Sequence, residues 1–229
     1  MGALFAMALP TSSIKSILRG QHPSSEWASS LSISSLIGLI VFCGAIYGAC
    51  MGGYSSVGGV RILQSLFSAM KVPLLLIITF CLSLPSFFIF NSLNGLRDDF
   101  KELLRSLLAA QAGQMVLLAS LSPYVILWNF SVNGHVPTIL FNATLFGISA
   151  LGGQLMLRRL YERLIAKDDR HRPMLKLWLL TYVFIAVQLS WTLRPFIGDP
   201  MLPTSFLRPD AWGNAYIAVF GIIRKLLGY

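Results

Sequence analysis

The sequence predicts an all-α fold: a polytopic integral membrane helical bundle with five to six transmembrane helices. Of the 229 residues, 55% are hydrophobic and 12% are charged, about half the roughly 25% charged fraction of a soluble domain. Residues 106 to 157 contain no Asp, Glu, Lys or Arg, a run long enough for two helical crossings of a hydrocarbon core about 30 Å thick. The two-residue alternation of a membrane β-barrel is absent. These observations argue against a soluble globule.

Five segments are long and apolar enough to cross a bilayer as helices. They are 36–53, 72–90, 107–130, 138–157 and 177–193. A sixth candidate, 215–223, is short and would need interfacial residues at both ends to span. The whole chain, 1–229, is predicted to be a single transmembrane domain. Within it, 1–35 forms a cytoplasmic N-terminal segment, and 36–229 forms the bundle with an outer loop at 194–214.

Lysine and arginine fall unevenly on the two sides of these spans. The side that carries the N-terminus holds 12 of them before the last segment, and the opposite side holds four. Cytoplasmic loops carry the excess of Lys and Arg, so the N-terminus is predicted to be cytoplasmic. The formal charge of +9 does not indicate nucleic acid as a partner, because the cations are scattered between apolar spans and form no basic face.

The connection 60–71 is predicted to be a short amphipathic helix lying in the outer interface. Its apolar residues Leu63, Phe67 and Met70 share one helical stripe, and its polar residues fall elsewhere. The following spans contain prolines at 73, 85 and 123, each of which is expected to kink its helix.

The first span carries Gly44, Gly48 and Gly52 at four-residue spacing. Such spacing makes a flat helix face on which another backbone can approach closely. The partner helix belongs either to this chain or to another subunit, and the pattern does not distinguish the two.

The polar residues within the spans are amides and hydroxyls, and no acid, base or histidine lies centrally. This weakens the hypothesis of a proton-coupled transporter, which normally needs ionisable groups in the membrane. Hydrogen bonds between helices are the ordinary role of such residues. They are Thr79, Asn91, Gln111, Gln114, Asn129, Asn142, Gln154 and Gln188.

Two acidic pairs, Asp98–Asp99 and Asp168–Asp169 with His171 nearby, are the main candidates for catalysis. Each pair lacks a surrounding catalytic motif and is flanked by arginines, so it is interpreted as a solvated charged cap. No catalytic, cofactor-binding or metal-binding residue is therefore predicted.

The segment after the fifth span is the least ordinary in the chain. A folded outer cap or docking surface is predicted from Trp191, Arg194, Asp199, Arg208 and Asp210. Arg194 precedes a proline that stops the helix, on the side that is poor in cations. A partly desolvated guanidinium needs a carboxylate, so Arg194 is expected to pair with Asp199 or Asp210.

Four motifs give the chain a family resemblance: YGxxMG at 47–52, SAMKVPLL at 68–75, LPSFFIFNSLNG at 84–95 and WTLRPFIGDP at 191–200. Together they resemble a family of uncharacterised bacterial multi-pass membrane proteins, which implies a location in the bacterial cytoplasmic (inner) membrane. In span number and low charge the chain is also loosely similar to Yip1-type domains, which implies a non-enzymatic adaptor. No site residue comes with either resemblance.

Three functional hypotheses follow. The leading one is a non-enzymatic multi-pass membrane subunit or scaffold that contacts membrane lipids and a protein partner or a second copy within the bilayer. The second is a channel or small-solute transporter with an amide-lined path. The third is a lipid-modifying membrane enzyme built on the cytoplasmic acids. No cofactor is expected.

The cation count makes a testable prediction about topology. In a background lacking Cys43, Cys50 and Cys81, a membrane-impermeant thiol reagent should label His135→Cys in intact cells. It should label Lys167→Cys only after permeabilisation. Reversed labelling would overturn the orientation.

Overall fold

The computed structural model describes residues 32–56, 62–132, 134–199, 202–208 and 211–217. Of these residues 82% are helical and none lies in a strand. A short 3₁₀ turn, Gly53–Ser56, follows the first helix. The helices are α1 (Ile33–Gly52), α2 (Ile62–Leu93), α3 (Phe100–Ser120), α4 (Ser122–Ser131), α5 (His135–Lys167) and α6 (His171–Thr192).

Five helical segments in this part of the chain are long and apolar enough to cross a membrane: α1, α2, α3 with α4, α5 and α6. They match the five predicted spans, two of which end one residue beyond α1 and α6, so the all-α, membrane-spanning fold class is confirmed. The sixth candidate, 215–223, lies largely outside the described residues, which end at Ile217. Its crossing stays a prediction.

Helix α1 is the centre of the bundle. It packs most extensively against α2 and α3, while α5 packs against α3 and α6 packs against α2. The helices therefore follow the spatial order α5, α3, α1, α2, α6. The two end members, α5 and α6, face each other across a seam where they have little direct contact.

The glycine face of α1 lies against α2 of the same chain. A Cβ at Gly48 would lie 2.8 Å from the Cα of Ala69, and closer still to the carbonyl oxygen of Ser68. At Gly52 it would lie 2.7 Å from Ser68 Oγ, and at Gly44 3.3 Å from the ring of Pro73. Because there is no room for a side chain at Gly48 or Gly52, the two backbones pack at the closest distance that helices allow.

Helix α2 corrects the prediction for 60–71. The described part of that segment is no separate interfacial helix but the first turns of α2, which runs without a break through Pro73 and Pro85. Its polar residues Gln64 and Ser68 are buried, whereas Leu63 and Met70 are exposed. Lys71, one of the four cations assigned to the outer side, is a fully buried residue of α2.

Two other helices differ from their predicted bounds. The third span is divided into α3 and α4 at Leu121, next to Pro123, which cannot donate to the preceding turn. Helix α5 continues ten residues beyond the predicted end at 157 and carries its last basic residues as a helical extension. Arg, Lys and Glu favour a helix about as much as Leu does, so a helix continues through charged residues. Hydropathy therefore predicts where α5 leaves the membrane but not where the helix ends.

The close packing of α1 on α2 predicts opposite effects for two glycine substitutions. Gly48→Ala forces a methyl group into the α2 backbone and should destabilise the protein by about 1–3 kcal/mol or more. Gly147→Ala places the same methyl in open space on α5 and should be neutral or stabilising, by up to about 1 kcal/mol, through helix propensity. Thermal unfolding in detergent measures both, and equal midpoints would refute the contact.

Candidate functional site

A cavity of about 580 Å³ occupies the seam between α5 and α6. It lies toward the outer end of the bundle, defined here as the end that carries the loop 194–214; the inner end carries the α5–α6 connection. Its size is that of an ordinary ligand pocket. The residues that line it from α5 are Ile139, Asn142, Ala143, Phe146, Gly147, Ala150 and Gln154, and those from α6 are Tyr182, Val183, Ala186, Val187 and Ser190.

Small side chains keep this seam open. Gly147, Ala143 and Ala150 lie on the α5 wall, and Ala186 lies on the α6 wall. A Cβ added at Gly147 would meet no atom within 4 Å. On the α6 side Val183 is 53% exposed, so the cavity communicates with the surface of the bundle that faces lipid.

The deep end of the cavity carries amide groups in an otherwise apolar wall. Gln114, Gln154 and Tyr182 line both this cavity and a neighbouring void of about 20 Å³, the size of one water molecule. Within the described residues, Oε1 of Gln154 and Oε1 of Gln111 are buried without a hydrogen-bond partner. Gln111 lines the smaller void only, and Gln154 lines both.

Asn142 and Asn129 join helices, as the sequence predicted. Tyr47 Oη donates to Asn142 Oδ1 over 2.9 Å, joining α1 to α5. Asn129 Nδ2 donates to the carbonyl of Cys50 over 2.9 Å, joining α4 to α1. Asn91 and Thr79 instead donate to carbonyls of their own helix.

The outer mouth of the cavity is formed by residues 194–197 together with Arg208 and His135. A polar stripe of α2, consisting of Gln64, Ser68 and Lys71, fixes this loop. Gln64 Nε2 donates to the carbonyl of Phe196 over 3.3 Å, and Ser68 Oγ donates to the same carbonyl. Lys71 Nζ donates to the carbonyl of Pro195 over 2.6 Å. The stripe thus holds the loop over the cavity.

The polar stripe was missed by sequence reasoning. Its members recur at i, i+4 and i+7, which is the spacing of one helix face. In a segment continuous with a transmembrane span, a polar face of this kind indicates a surface buried against protein, because lipid offers it no hydrogen bonds.

Three of the predicted outer-cap residues surround the mouth. The guanidinium carbon of Arg194 lies 3.2 Å from the centre of the Trp191 ring, and its Nε donates to the Trp191 carbonyl. Arg208 lines the mouth beside it. Arg194 and Asp199 each have further interactions. Asp210 lies outside the described residues, so the pairing of Arg194 stays a prediction.

The inner end of the bundle brings together acids that the sequence placed in separate loops. Asp99 accepts from Lys167 Nζ and lies 3.2 Å from Nε2 of the fully buried His171. Asp168 is bound by Arg170, which also donates to the carbonyl of Asn94 over 2.8 Å. These contacts tie the α2–α3 connection to the start of α6.

The same contacts explain the protonation of the acids. The hydrogen bond from Lys167 holds the pKa of Asp99 below its ordinary value, and His171 adds to this effect while partial burial opposes it. The side-chain hydrogen bond from Arg170 lowers the pKa of Asp168 to about 2. Both carboxylates are ionised and engaged near neutral pH. Within the described ranges no group of three His, Cys, Asp or Glu residues is placed to hold a metal ion.

The sequence matches no protein-family model, and neither curated proteins nor solved structures yielded a match. The resemblance drawn from the four motifs therefore stays a prediction, and functional arguments rest on the geometry.

The Asp99 contacts predict a pH-dependent stability. A carboxyl group whose pKa is lowered by folding stabilises the protein above its unfolded pKa, near 3.9, and loses that effect as the pH falls through the folded value. Asp99→Asn should therefore lower the unfolding temperature at pH 7 and have a smaller effect at pH 3. Asp169→Asn, at a carboxylate that is 88% exposed, is the control and should change little at either pH. An Asp99→Asn effect that is independent of pH would contradict the assignment.

Proposed function

We propose that this protein is a non-enzymatic multi-pass membrane subunit that binds an amphiphile from the bilayer in the α5–α6 cavity. The observation that carries the proposal is the cavity itself: about 580 Å³, mostly apolar, and accessible from the lipid-facing surface of α6. Amides lie at its deep end and cations at its mouth, within a lining that also includes Thr79, Asn142 and Ser190. A wall of this kind suits a molecule with an apolar chain and a polar head.

The inner acids support a binding role over catalysis. Asp99 and Asp168 accept hydrogen bonds from Lys167 and Arg170, so these carboxylates are engaged within the protein. Asp169 lies at the surface, 3.8 Å from Arg172. Asp99 and Asp168 join the α2–α3 connection to the α5–α6 connection. These contacts give Asp99 and Asp168 a structural role, and a catalytic role is not needed to explain them.

A partner within the bilayer is part of the proposal. Helix α6 is the least buried of the candidate spans. Only 17% of its most apolar 18-residue stretch is buried inside the bundle. Leu180 and Phe184 are 71% and 60% exposed on it. This surface is available to lipid, to a helix of another protein, or to a second copy, and purification in mild detergent would identify a stoichiometric protein partner.

A channel or small-solute transporter is the second candidate, favoured by the amides at the deep end of the cavity. Toward the inner end, however, the bundle is filled by buried side chains, among them Leu103, Leu164 and Trp178. Solute passage would require these side chains to separate. Uptake or conductance by the purified protein in liposomes would support this candidate.

Lipid binding in the cavity predicts a contrast between two neighbouring positions. Gly147→Trp places an indole in the open space of the cavity, whereas Ile148→Trp places it on a surface that is 55% exposed. The first variant should retain several-fold less co-purifying lipid than the wild type, and the second should match the wild type. Native mass spectrometry from a mild detergent counts the bound lipids, and unfolding temperatures confirm that both variants fold. Equal lipid retention in all three proteins would refute cavity binding.

A further inference from the structure

We propose that the mouth of the α5–α6 cavity binds the phosphate of an anionic membrane lipid, with Arg208 as the direct donor and Lys71 supplying a second positive charge from within α2. This inference rests on the proposed function and specifies the chemistry of the ligand's head.

Two cations stand close together at this point of the bundle. Lys71 is fully buried, its ammonium group is bonded to the Pro195 carbonyl, and it lies 4.9 Å from the centre of the Phe206 ring. Arg208, two residues after Phe206, lines the cavity mouth. Arg194 adds a third cation stacked on Trp191.

Within the part of the chain that the structure describes, no carboxylate forms an ion pair with Lys71 or Arg208. The ion pairs of Asp99, Asp168 and Asp169 lie at the inner end. Asp199, the acid of the described outer loop, forms no ion pair with Lys71 or Arg208 in that part of the chain. A buried ammonium and a guanidinium at the edge of a membrane are costly without an anion nearby.

The position of these charges identifies the kind of anion. They lie at the outer end of a largely apolar cavity that opens toward lipid through α6. A free anion would bind the cations but make no contact with the apolar walls. A neutral lipid would contact the walls but leave the cations without an anion. A lipid with a phosphate head satisfies both, since a guanidinium offers a planar set of donors that matches phosphate oxygens.

Lys71 acts here as a positioning residue and a source of charge. Its side chain is fully buried, and its bond to Pro195 holds the segment that forms the mouth. Its charge therefore acts on the phosphate through a low-dielectric layer of protein, where electrostatic attraction is stronger than in water. Arg208 is half-buried at the mouth and is placed to donate directly.

The test compares two lipids that differ in the head alone. Delipidated protein in dodecyl maltoside is titrated with dioleoyl phosphatidylglycerol or dioleoyl phosphatidylcholine, and binding is followed by native mass spectrometry and by the rise in unfolding temperature. The wild type should bind the anionic lipid about tenfold more tightly. Arg208→Gln should lose most of this preference and keep its affinity for phosphatidylcholine, while Arg208→Lys should keep part of it. Arg172→Gln, at an exposed inner-end arginine, is the control and should behave as the wild type.

The outcomes separate the two proposals. Equal binding of both lipids by the wild type, with loss of both in Gly147→Trp, would overturn the phosphate site and leave cavity binding intact. Binding of both lipids unaffected by Gly147→Trp would overturn cavity binding. Glycerol phosphate alone should bind at least tenfold more weakly than the anionic lipid; equal binding would make the ligand a free phosphate. A preference that appears only in Asp210→Asn would show that an acid of the chain occupies the place of the phosphate, and would also overturn the proposal.

Discussion

The outer half of the bundle depends on the close approach of α1 and α2 at Gly48. The backbone of Ser68 fills the space that a side chain on Gly48 would need, and the Ser68 hydroxyl faces the outer loop and donates to the Phe196 carbonyl. One turn of α2 is thus held between the glycine face of α1 and the loop that forms the cavity mouth. Displacing α2 from α1 would move Ser68 and Lys71 together, so packing at Gly48 determines where the mouth lies.

Polar side chains of α2 donate hydrogen bonds to backbone carbonyls of the outer loop, and each group thereby gains a partner. Prolines break regular structure in the loop, so carbonyls such as those of Pro195 and Phe196 have no helical donor. The stripe of Gln64, Ser68 and Lys71 supplies donors that would otherwise lack partners in the membrane. As a result the first turns of α2 bury their polar face and present Leu63 and Leu66 outward. This is the reverse of the orientation expected for an amphipathic helix at a water interface.

Hydropathy predicted the spans because lipid imposes length and composition on every crossing helix. The same information failed at 60–71, since a helix with one polar and one apolar face has the same periodicity whichever face is buried. The glycine spacing indicated close packing, but only the structure gives α2 as the partner. The cavity was beyond prediction, because it depends on the separation of α5 and α6, which are neighbours in the chain yet pack mainly on α3 and α2. The Asp99–His171 contact joins residues 72 positions apart, and no local pattern encodes it.

The α5–α6 seam has the character of a binding slot because α6 packs on α2 and on the outer loop but has little contact with α5. At the inner end Trp178 packs against Phe80 and Phe87 of α2, with ring centres 5.6 and 4.9 Å apart. At the outer end Gln188 donates to Gly213 and accepts from the Ala215 amide. Between these points Ala186 and the small residues of α5 offer little surface for contact, and lipid provides no hydrophobic drive to close the gap. An empty slot forfeits dispersion contacts along both walls, and the acyl chain of the proposed ligand would restore those contacts.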